Sequence, residues 1–288
     1  MTTSTCSQPS PSGRSSQAPA GRAGEAPSSW TLPAELEGKR QLTPTESFRF
    51  GCHPEVACFT RCCTDANILL TPVDVLRLSR RLGLTTTEFL DRHALVPITK
   101  DLQLPVVMLR MGEEPERRCP FLGSDGCGVY QDRPWACRMY PVAMALPPAR
   151  AGFEPEPLYF LLEDGFCQGR DGGRSWTVDD WRRDQDVAGR EDLERGFRDI
   201  VSHPWFIGGR HLDPRRMEVF FTACYDLDKF RAFIFESSFL QRFDLDAELT
   251  ERLRRDDEAL LGFGFKWLRF ALFAEPVLPV RPSARRTA

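Results

Sequence analysis

The sequence predicts an α+β protein that is rich in helix, with an irregular, cysteine-organised lobe carrying short strands, followed by a helical C-terminal part. Two observations favour this fold class. Eight of the ten cysteines fall into two groups between positions 52 and 167, in a region rich in Gly, Pro and Asp, a composition typical of turns. Beyond position 213 the apolar residues recur at helical spacing instead.

The overall composition is that of a globular protein without a global charge signal. Of 288 residues, 41% are hydrophobic and 27% are charged, and the net charge is −3. This balance gives no electrostatic case for nucleic acid or an anionic membrane as a partner. No apolar run reaches the roughly 18–20 residues that span a bilayer. The N-terminal stretch lacks the apolar segment of a signal peptide, so we expect a cytoplasmic protein.

Shifts in composition predict four segments. Residues 1–42 are rich in Ser, Pro, Gly and Ala, and such a segment buries too little apolar surface to offset its ordering entropy. We therefore expect a disordered tail there. Residues 43–185 are predicted as the cysteine-cluster domain, residues 186–275 as the helical part, and residues 276–288 as a second disordered tail.

Capping signals predict two consecutive helices after the first cysteine group. Thr71 with Asp74 has the pattern of a capping box, and Gly83 is placed to end that helix. Thr85 with Glu88 forms a second capping box directly afterwards. We expect these two helices to pack over the cysteines.

Alternation and β-branched or aromatic content predict the short strands. The predicted extended segments are Phe48–Phe50, Leu104–Met111, Val142–Leu146 and Tyr159–Leu162.

Further start signals predict the later helices. Thr177 begins one helix, Asp213 begins a long one, and Asp246 begins the last. The Gly-rich sequence around Phe263 predicts a bend in that last helical stretch. The aromatic stripe is interpreted as hydrophobic core, and Cys224 as a small apolar core residue.

The clustered thiols are the most informative feature of the chain. A reducing compartment disfavours structural disulfides, so clustered cysteines there indicate metal binding or catalysis. Soft thiolates select zinc, copper(I) or iron–sulfur clusters. Eight thiols suffice for two tetrahedral zinc sites or two four-cysteine clusters. The predicted ligands are Cys52, Cys58, Cys62 and Cys63 in the first group, and Cys119, Cys127, Cys137 and Cys167 in the second.

The spacing within the first group leaves several alternatives open. Because Cys62 and Cys63 are adjacent, their side chains project in different directions and would serve two ions or bridge a pair. The spacings match neither the C-x2-C knuckle of zinc ribbons nor those of ferredoxins, so the metal is not specified. His53, next to Cys52, is an alternative ligand, since imidazole binds zinc well.

The second group has its own supporting residues. Gly126 and Gly128 flank Cys127 and allow backbone N–H groups to approach its sulfur. Arg133 and Arg138 bracket Cys137, where their charges would offset that of a thiolate site.

The combined motifs resemble a known family. CPFL, DGCGVYQDRPWACRMYP and the preceding CC and LTPVDVLRL are similar to the YkgJ-type cysteine-cluster family, a zinc- or iron-chelating domain. The resemblance covers approximately Phe50 to Cys167. It implies that these cysteines chelate zinc or iron, the iron alone or as an iron–sulfur cluster, and it implies little about a reaction. The family's early cysteines are more closely spaced than Cys52 and Cys58, which five residues separate.

Three functions follow as hypotheses, and the sequence leaves open whether the chain is an enzyme. The first is a non-enzymatic metal-binding protein whose partner is a metal ion. The second is an iron–sulfur redox or protein-modifying enzyme, since flagellin lysine N-methylases carry a similar cysteine cluster, although no Gly-rich cofactor loop stands out here. The third is a metal-stabilised adaptor whose helical part binds an unidentified protein partner. No nucleic-acid or membrane partner is predicted.

Overall fold

The computed structural model describes residues 31–97, 104–113, 115–147, 156–206 and 209–282. The first thirty residues of the predicted N-terminal tail lie outside these ranges, as do residues 283–288. Residues 31–42 were predicted as disordered, but they are ordered here: Leu36 is buried and Arg40–Leu42 forms a strand. Toward the C-terminus Leu278 is buried and Val280 pairs with Phe243. The beginning of the predicted C-terminal tail, residues 276–288, is therefore ordered as well. In both segments a leucine is buried among apolar side chains.

Helices dominate the described residues and strands are short, so the α+β class is confirmed. The helices are α1 (Pro72–Leu82), α2 (Thr86–His93), α3 (Trp135–Met139), α4 (Val178–Asp184), α5 (Glu191–Val201), α6 (Pro214–Cys224), α7 (Leu227–Glu236), α8 (Phe239–Arg242), α9 (Ala247–Arg255) and α10 (Asp257–Phe273). Within the described ranges no helix has both the length and the apolar character needed to cross a bilayer.

The strands form one three-stranded sheet, β1-β8-β7, and three two-stranded antiparallel pairs, β2-β9, β3-β4 and β5-β6. They are β1 (Arg40–Leu42), β2 (Ser47–Phe50), β3 (Ala94–Leu95), β4 (Met108–Leu109), β5 (Leu122–Gly123), β6 (Gly126–Cys127), β7 (Val142–Ala145), β8 (Leu158–Leu161) and β9 (Arg174–Thr177). The predicted strand at Leu104–Met111 is reduced to β4. Its neighbour Val107 instead accepts a backbone hydrogen bond from Leu70 at 2.8 Å.

Both predicted capping boxes are present. The Thr71 hydroxyl accepts a hydrogen bond from the Asp74 N–H at 3.1 Å, and the Asp74 carboxylate accepts one from the Thr71 N–H at 2.9 Å. Thr85 and Glu88 repeat the arrangement at the start of α2. Gly83 ends α1 with φ +66°, the left-handed conformation that glycine adopts readily. These helices therefore begin and end where short-range signals predict.

A single large apolar core joins the two parts of the chain. It contains residues of α1 and α2 together with residues of α5 to α10, and Cys119, Cys127 and Cys137 pack against its edge. Residues on both sides of the predicted boundary at 185/186 thus contribute to one core. The aromatic stripe is confirmed as core, with Phe220, Phe230 and Phe239 at most 2% exposed, and Cys224 is fully buried.

The predicted bend around Phe263 is wrong, because α10 runs through both glycines of that stretch. A Cβ atom on Gly264 would lie 2.5 Å from the Ala223 carbonyl oxygen, closer than atoms can approach. Glycine is therefore required there so that α10 can cross α6 backbone to backbone. The sequence signal was real, but it reports close packing and not a turn.

Candidate metal centre

A backbone crossing brings the first cysteine of the set next to the last one. Strand β2 pairs with β9, with Phe50 opposite Arg174. Directly after β2, the Gly51 N–H donates to the Gly169 carbonyl at 2.9 Å. A Cβ atom on Gly173, whose φ is +78°, would lie 2.4 Å from the Gly51 nitrogen. Only glycine permits this contact, which places the chain after Gly51 beside the loop that carries the last cysteine.

The first group of thiols therefore includes a residue from far along the sequence. Cys58, Cys62 and Cys167 all lie near enough to Cys52 to act on its ionisation. Cys52 is exposed as a residue, but the protein that surrounds its thiol raises the pKa to about 11, with smaller contributions from the three neighbouring sulfurs. The Gln168 N–H donates a hydrogen bond to the Cys58 sulfur at 3.1 Å.

The adjacent pair links this group to the second one. The Cys62 and Cys63 thiols act on each other's ionisation, and this mutual effect is the largest cause that lowers the pKa of Cys62 to about 7 and raises that of Cys63. Cys62 also acts on Cys119 and Cys137 as well as on Cys52. The pair therefore lies between the two groups, and its service to two ions or to a bridged pair stays a prediction.

The second group is supported by a hairpin and a short helix. The β5-β6 hairpin pairs Leu122 with Cys127, and the Cys119 N–H donates to the Cys63 carbonyl at 2.8 Å. Cys137 lies in α3. Burial is the largest cause that raises the pKa of both Cys119 and Cys137, and the Asp74 carboxylate is the next cause for Cys137.

Asp74 fixes the helix that carries Cys137. Its second carboxylate oxygen accepts a hydrogen bond at 2.8 Å from the backbone N–H of Trp135, the first residue of α3. One buried carboxylate, 1% exposed, thus binds the N-termini of α1 and α3. Negative charge is favourable at both ends, because helix N-termini carry unpaired N–H groups and a partial positive charge.

The two arginines around Cys137 hydrogen-bond to backbone carbonyls of the loop before α3. Arg138 is buried, and it donates to the carbonyl oxygens of Arg133 at 3.1 Å and Gln185 at 2.8 Å. Arg133 donates to the Tyr130 carbonyl at 2.5 Å and to the Gln185 side chain. Both guanidinium groups thus have a structural role, since they satisfy carbonyls of the loop before α3, and the charge compensation at Cys137 stays a prediction.

A second buried carboxylate makes stability depend on pH. Glu194 on α5 accepts a hydrogen bond from the Thr71 hydroxyl at 2.9 Å and is 3% exposed. Burial, and then the charge of Asp74, raise the pKa of Glu194 to about 8, while Arg198 and Arg190 oppose the shift.

We expect the Glu194→Gln variant to lose this pH dependence. The native state retains the proton to about pH 8 and the unfolded chain releases it near pH 4.3. Stability therefore falls as pH rises between these values. Urea unfolding at pH 5, 6, 7 and 8 should show a smaller decline for Glu194→Gln than for the wild type. Asp192→Asn, which alters an exposed carboxylate on the same helix, should keep the wild-type decline. Equal declines in all three proteins would contradict the prediction.

The His53 side chain is paired with a carboxylate. Its Nδ1 atom is 2.6 Å from a carboxylate oxygen of Glu55, and the side chain is 53% exposed. Cys52, in contrast, has three cysteines as neighbours. The structure therefore favours Cys52 over the alternative ligand.

A buried phenol lies beside the last cysteine. The hydroxyl oxygen of Tyr140 is buried and has no hydrogen-bond partner within the described residues. Cys167 and Asp164 are close enough to raise its pKa, after the larger effect of burial, yet neither contact reaches full hydrogen-bond geometry. Buried polar atoms without a partner are rare in native proteins, and a role at a functional site or beside an ion is one explanation for them.

An open cleft of about 730 Å³ borders the first group of thiols. Cys58 and Gln168 form part of its wall, together with Arg61 and Phe166. The Phe166 side chain is 44% exposed. The cleft gives a small molecule or a peptide segment a route to the Cys58 sulfur.

The residues present fit a thiolate-bound metal. Eight thiols form two adjoining groups, a backbone N–H points at one sulfur, and a buried hydroxyl beside another awaits an acceptor. Within the described ranges no three Cys, His, Asp or Glu side chains already stand at coordinating geometry. Neutral thiols do not converge to metal–sulfur distances by themselves, because deprotonation and metal binding occur together.

Sequence reasoning identified the thiols but missed the residues that bring them together. Gly51, Gly169 and Gly173 act through backbone contact, and the only signal for them was the glycine-rich sequence after Cys167. The second contact of Asp74 had no signal, because a capping residue is identified from its own helix alone.

Comparison with known proteins agrees with the motifs. Residues 51–168 match the CxxCxxCC family model, described as "Putative zinc- or iron-chelating domain". No curated protein and no solved structure gave a match. The matched range is less than half of the chain, and it contains every clustered cysteine of both groups. Residues 51–168 therefore match the same cysteine-cluster family of zinc- or iron-chelating domains that the motifs resemble.

Proposed function

We propose that this protein binds zinc or iron through Cys52, Cys58, Cys62, Cys63, Cys119, Cys127, Cys137 and Cys167, and that the bound metal stabilises the fold of its cysteine-bearing segments. Cys52, Cys58 and Cys167 would serve one side of the site, and Cys119, Cys127 and Cys137 the other. Cys62 and Cys63 lie between them. Bound zinc would supply cross-links between segments, and iron would add redox chemistry.

One observation carries the proposal. The 17 residues of the segment from Gly51 to Asn67 include no buried residue. Residues 162–175, around Cys167, include only Gly169 as a buried one. Apolar burial therefore cannot offset the entropy of ordering these segments. Metal binding can, because in small thiolate sites the free energy of metal binding is free energy of folding.

The direct test is the metal content of the full chain. We expect protein purified without oxygen to carry zinc or iron in stoichiometric amounts, measured by elemental analysis. Cys62→Ala and Cys137→Ala should each lower the metal content by at least half, since each removes a ligand from a shared set. Cys224→Ala is the matched control, because this cysteine is buried in the apolar core. It should leave the metal content unchanged.

Two results would overturn the proposal. One is metal-free wild-type protein that stays metal-free after incubation with Zn²⁺ and with Fe²⁺ under reducing conditions. The other is equal metal content in Cys62→Ala, Cys137→Ala and Cys224→Ala.

The cleft beside Cys58 favours a second candidate, an iron–sulfur redox or protein-modifying enzyme. A purely structural site does not need an open approach to a ligand, whereas this cleft reaches Cys58 and exposes Phe166 and Arg61. A cluster would give broad absorbance near 400 nm that bleaches on reduction. Colourless protein with stoichiometric zinc would exclude the iron–sulfur form of this candidate.

A further inference from the structure

The unpartnered hydroxyl of Tyr140 lies in otherwise well-packed surroundings. Tyr140 ends α3, and its ring packs edge-to-face on Phe50 with ring centroids 6.0 Å apart. The ring therefore belongs to the apolar cluster around β2 and β7. Within this side chain only the hydroxyl oxygen is unsatisfied. A phenylalanine at position 140 would fill the same space without the cost of burying an unpaired hydroxyl.

The neighbours of the hydroxyl are a thiol and a carboxyl group. Cys167 packs against the same apolar cluster as the Tyr140 ring, and Cys167 and Asp164 are the groups that act on the hydroxyl. A turn, closed by a 3.0 Å hydrogen bond from the Cys167 N–H to the Asp164 carbonyl, holds these two residues together. A neutral thiol is a weak hydrogen-bond acceptor. A metal-bound cysteine is a thiolate, and hydrogen bonds to charged acceptors are about twice as strong as those between neutral groups.

We propose that the Tyr140 hydroxyl donates a hydrogen bond to the Cys167 thiolate when that sulfur binds metal, which makes Tyr140 a positioning residue of the metal site. The inference rests on the proposed metal-binding function, and it assigns a role that the cysteine pattern alone does not contain. The Gln168 N–H already donates a hydrogen bond to the Cys58 sulfur, so Cys58 and Cys167 would each accept one.

This role has opposite consequences in the two states of the protein. Without metal, the hydroxyl is buried and unpartnered, so it destabilises the fold. With metal, it stabilises the ligand. A tyrosine that only fills space would change both states in the same direction. Removing the hydroxyl therefore separates the two roles.

The test compares Tyr140→Phe with the wild type and with Tyr159→Phe. Tyr159 is also buried, and no cysteine acts on its hydroxyl, so it controls for loss of a buried hydroxyl as such. Zn²⁺ and anaerobic Fe²⁺ affinities of the full chain are measured by competition with a chromophoric chelator. We expect Tyr140→Phe to bind about 10- to 100-fold more weakly, the range typical for residues that hydrogen-bond to metal ligands. Tyr159→Phe should bind like the wild type.

Two further measurements define the role. Urea unfolding of chelator-treated protein should show Tyr140→Phe to be at least as stable as the wild type. In a Cys167→Ala background, Tyr140→Phe should have no further effect on affinity, since the acceptor is gone.

The inference fails if Tyr140→Phe binds metal within twofold of the wild type, if its effect persists without Cys167, or if Asp164→Asn abolishes the effect instead. It also fails if Tyr140→Phe does not fold, because the hydroxyl would then have a partner already in the metal-free state. Wild-type protein that binds neither ion would overturn the proposed function itself, an outcome distinct from the others.

Discussion

Removal of the metal by a strong chelator is expected to unfold the cysteine-bearing segments while the helical core stays folded. Residues 51–67 and 162–175 bury almost no side chain, whereas α1, α6 and α10 lie in the shared apolar core. A structural zinc site supplies about 10–16 kcal/mol in small peptides, a range that reaches or exceeds the roughly 5–15 kcal/mol total stability of a typical domain. Amide hydrogen exchange, with and without chelator, measures the effect segment by segment.

In the metal-free protein, the amides of these segments should exchange at nearly unprotected rates, and those of α6 and α10 should remain protected. Cys137→Ser should reproduce this pattern in part. Cys224→Ala should instead lower protection throughout the core. The cysteine-bearing segments of this variant should exchange as they do in the wild-type protein. Unchanged exchange in residues 51–67 after complete metal removal would show that another interaction orders them.

Replacement of Asp74 by alanine is expected to destabilise the protein by about 2–3 kcal/mol, through two backbone N–H groups that lose their acceptor. The carboxylate binds Thr71 at the start of α1 and Trp135 at the start of α3. The carboxylate that accepts from both groups is only 1% exposed. Urea unfolding of metal-loaded protein near pH 6 gives the free energy of unfolding. Metal affinity should fall as well, because α3 carries Cys137.

The second capping box of the chain provides the matched control. Glu88 occupies in α2 the position that Asp74 occupies in α1, but it is exposed and caps its own helix alone. Glu88→Ala should therefore cause a clearly smaller loss and leave metal affinity unchanged. If the two alanine variants are equally stable and bind metal equally, Asp74 is no more than a local cap.

The parts of the fold that sequence predicted correctly are those encoded over a few residues. Thr71 with Asp74, and Thr85 with Glu88, specify helix starts within four positions, so both helices begin where expected. The aromatic stripe of the C-terminal part follows from helical periodicity. The cysteines were identifiable because thiols are rare and their grouping needs no structure to be seen.

The remaining features depend on contacts between distant residues. The proximity of Cys52 to Cys167 depends on the pairing of β2 with β9 and on the close approach of three glycines, and neither feature has a local signature. The strand at Arg40–Leu42 forms because it pairs with the edge of β8. Likewise, Gly264 was interpreted as a chain bend because a close helix crossing and a turn use the same residue type for different reasons.

The pairing of β2 with β9 also sets the order of events during synthesis. Cys52 leaves the ribosome 115 residues before Cys167 (167 minus 52). At roughly 5–20 residues per second this interval lasts about 6–23 s. The first four clustered thiols are thus displayed on a nascent chain that lacks the glycine crossing and the last ligand. In the proposed metal site, assembly must wait until β9 has emerged, so metal loading would follow the pairing of β2 with β9.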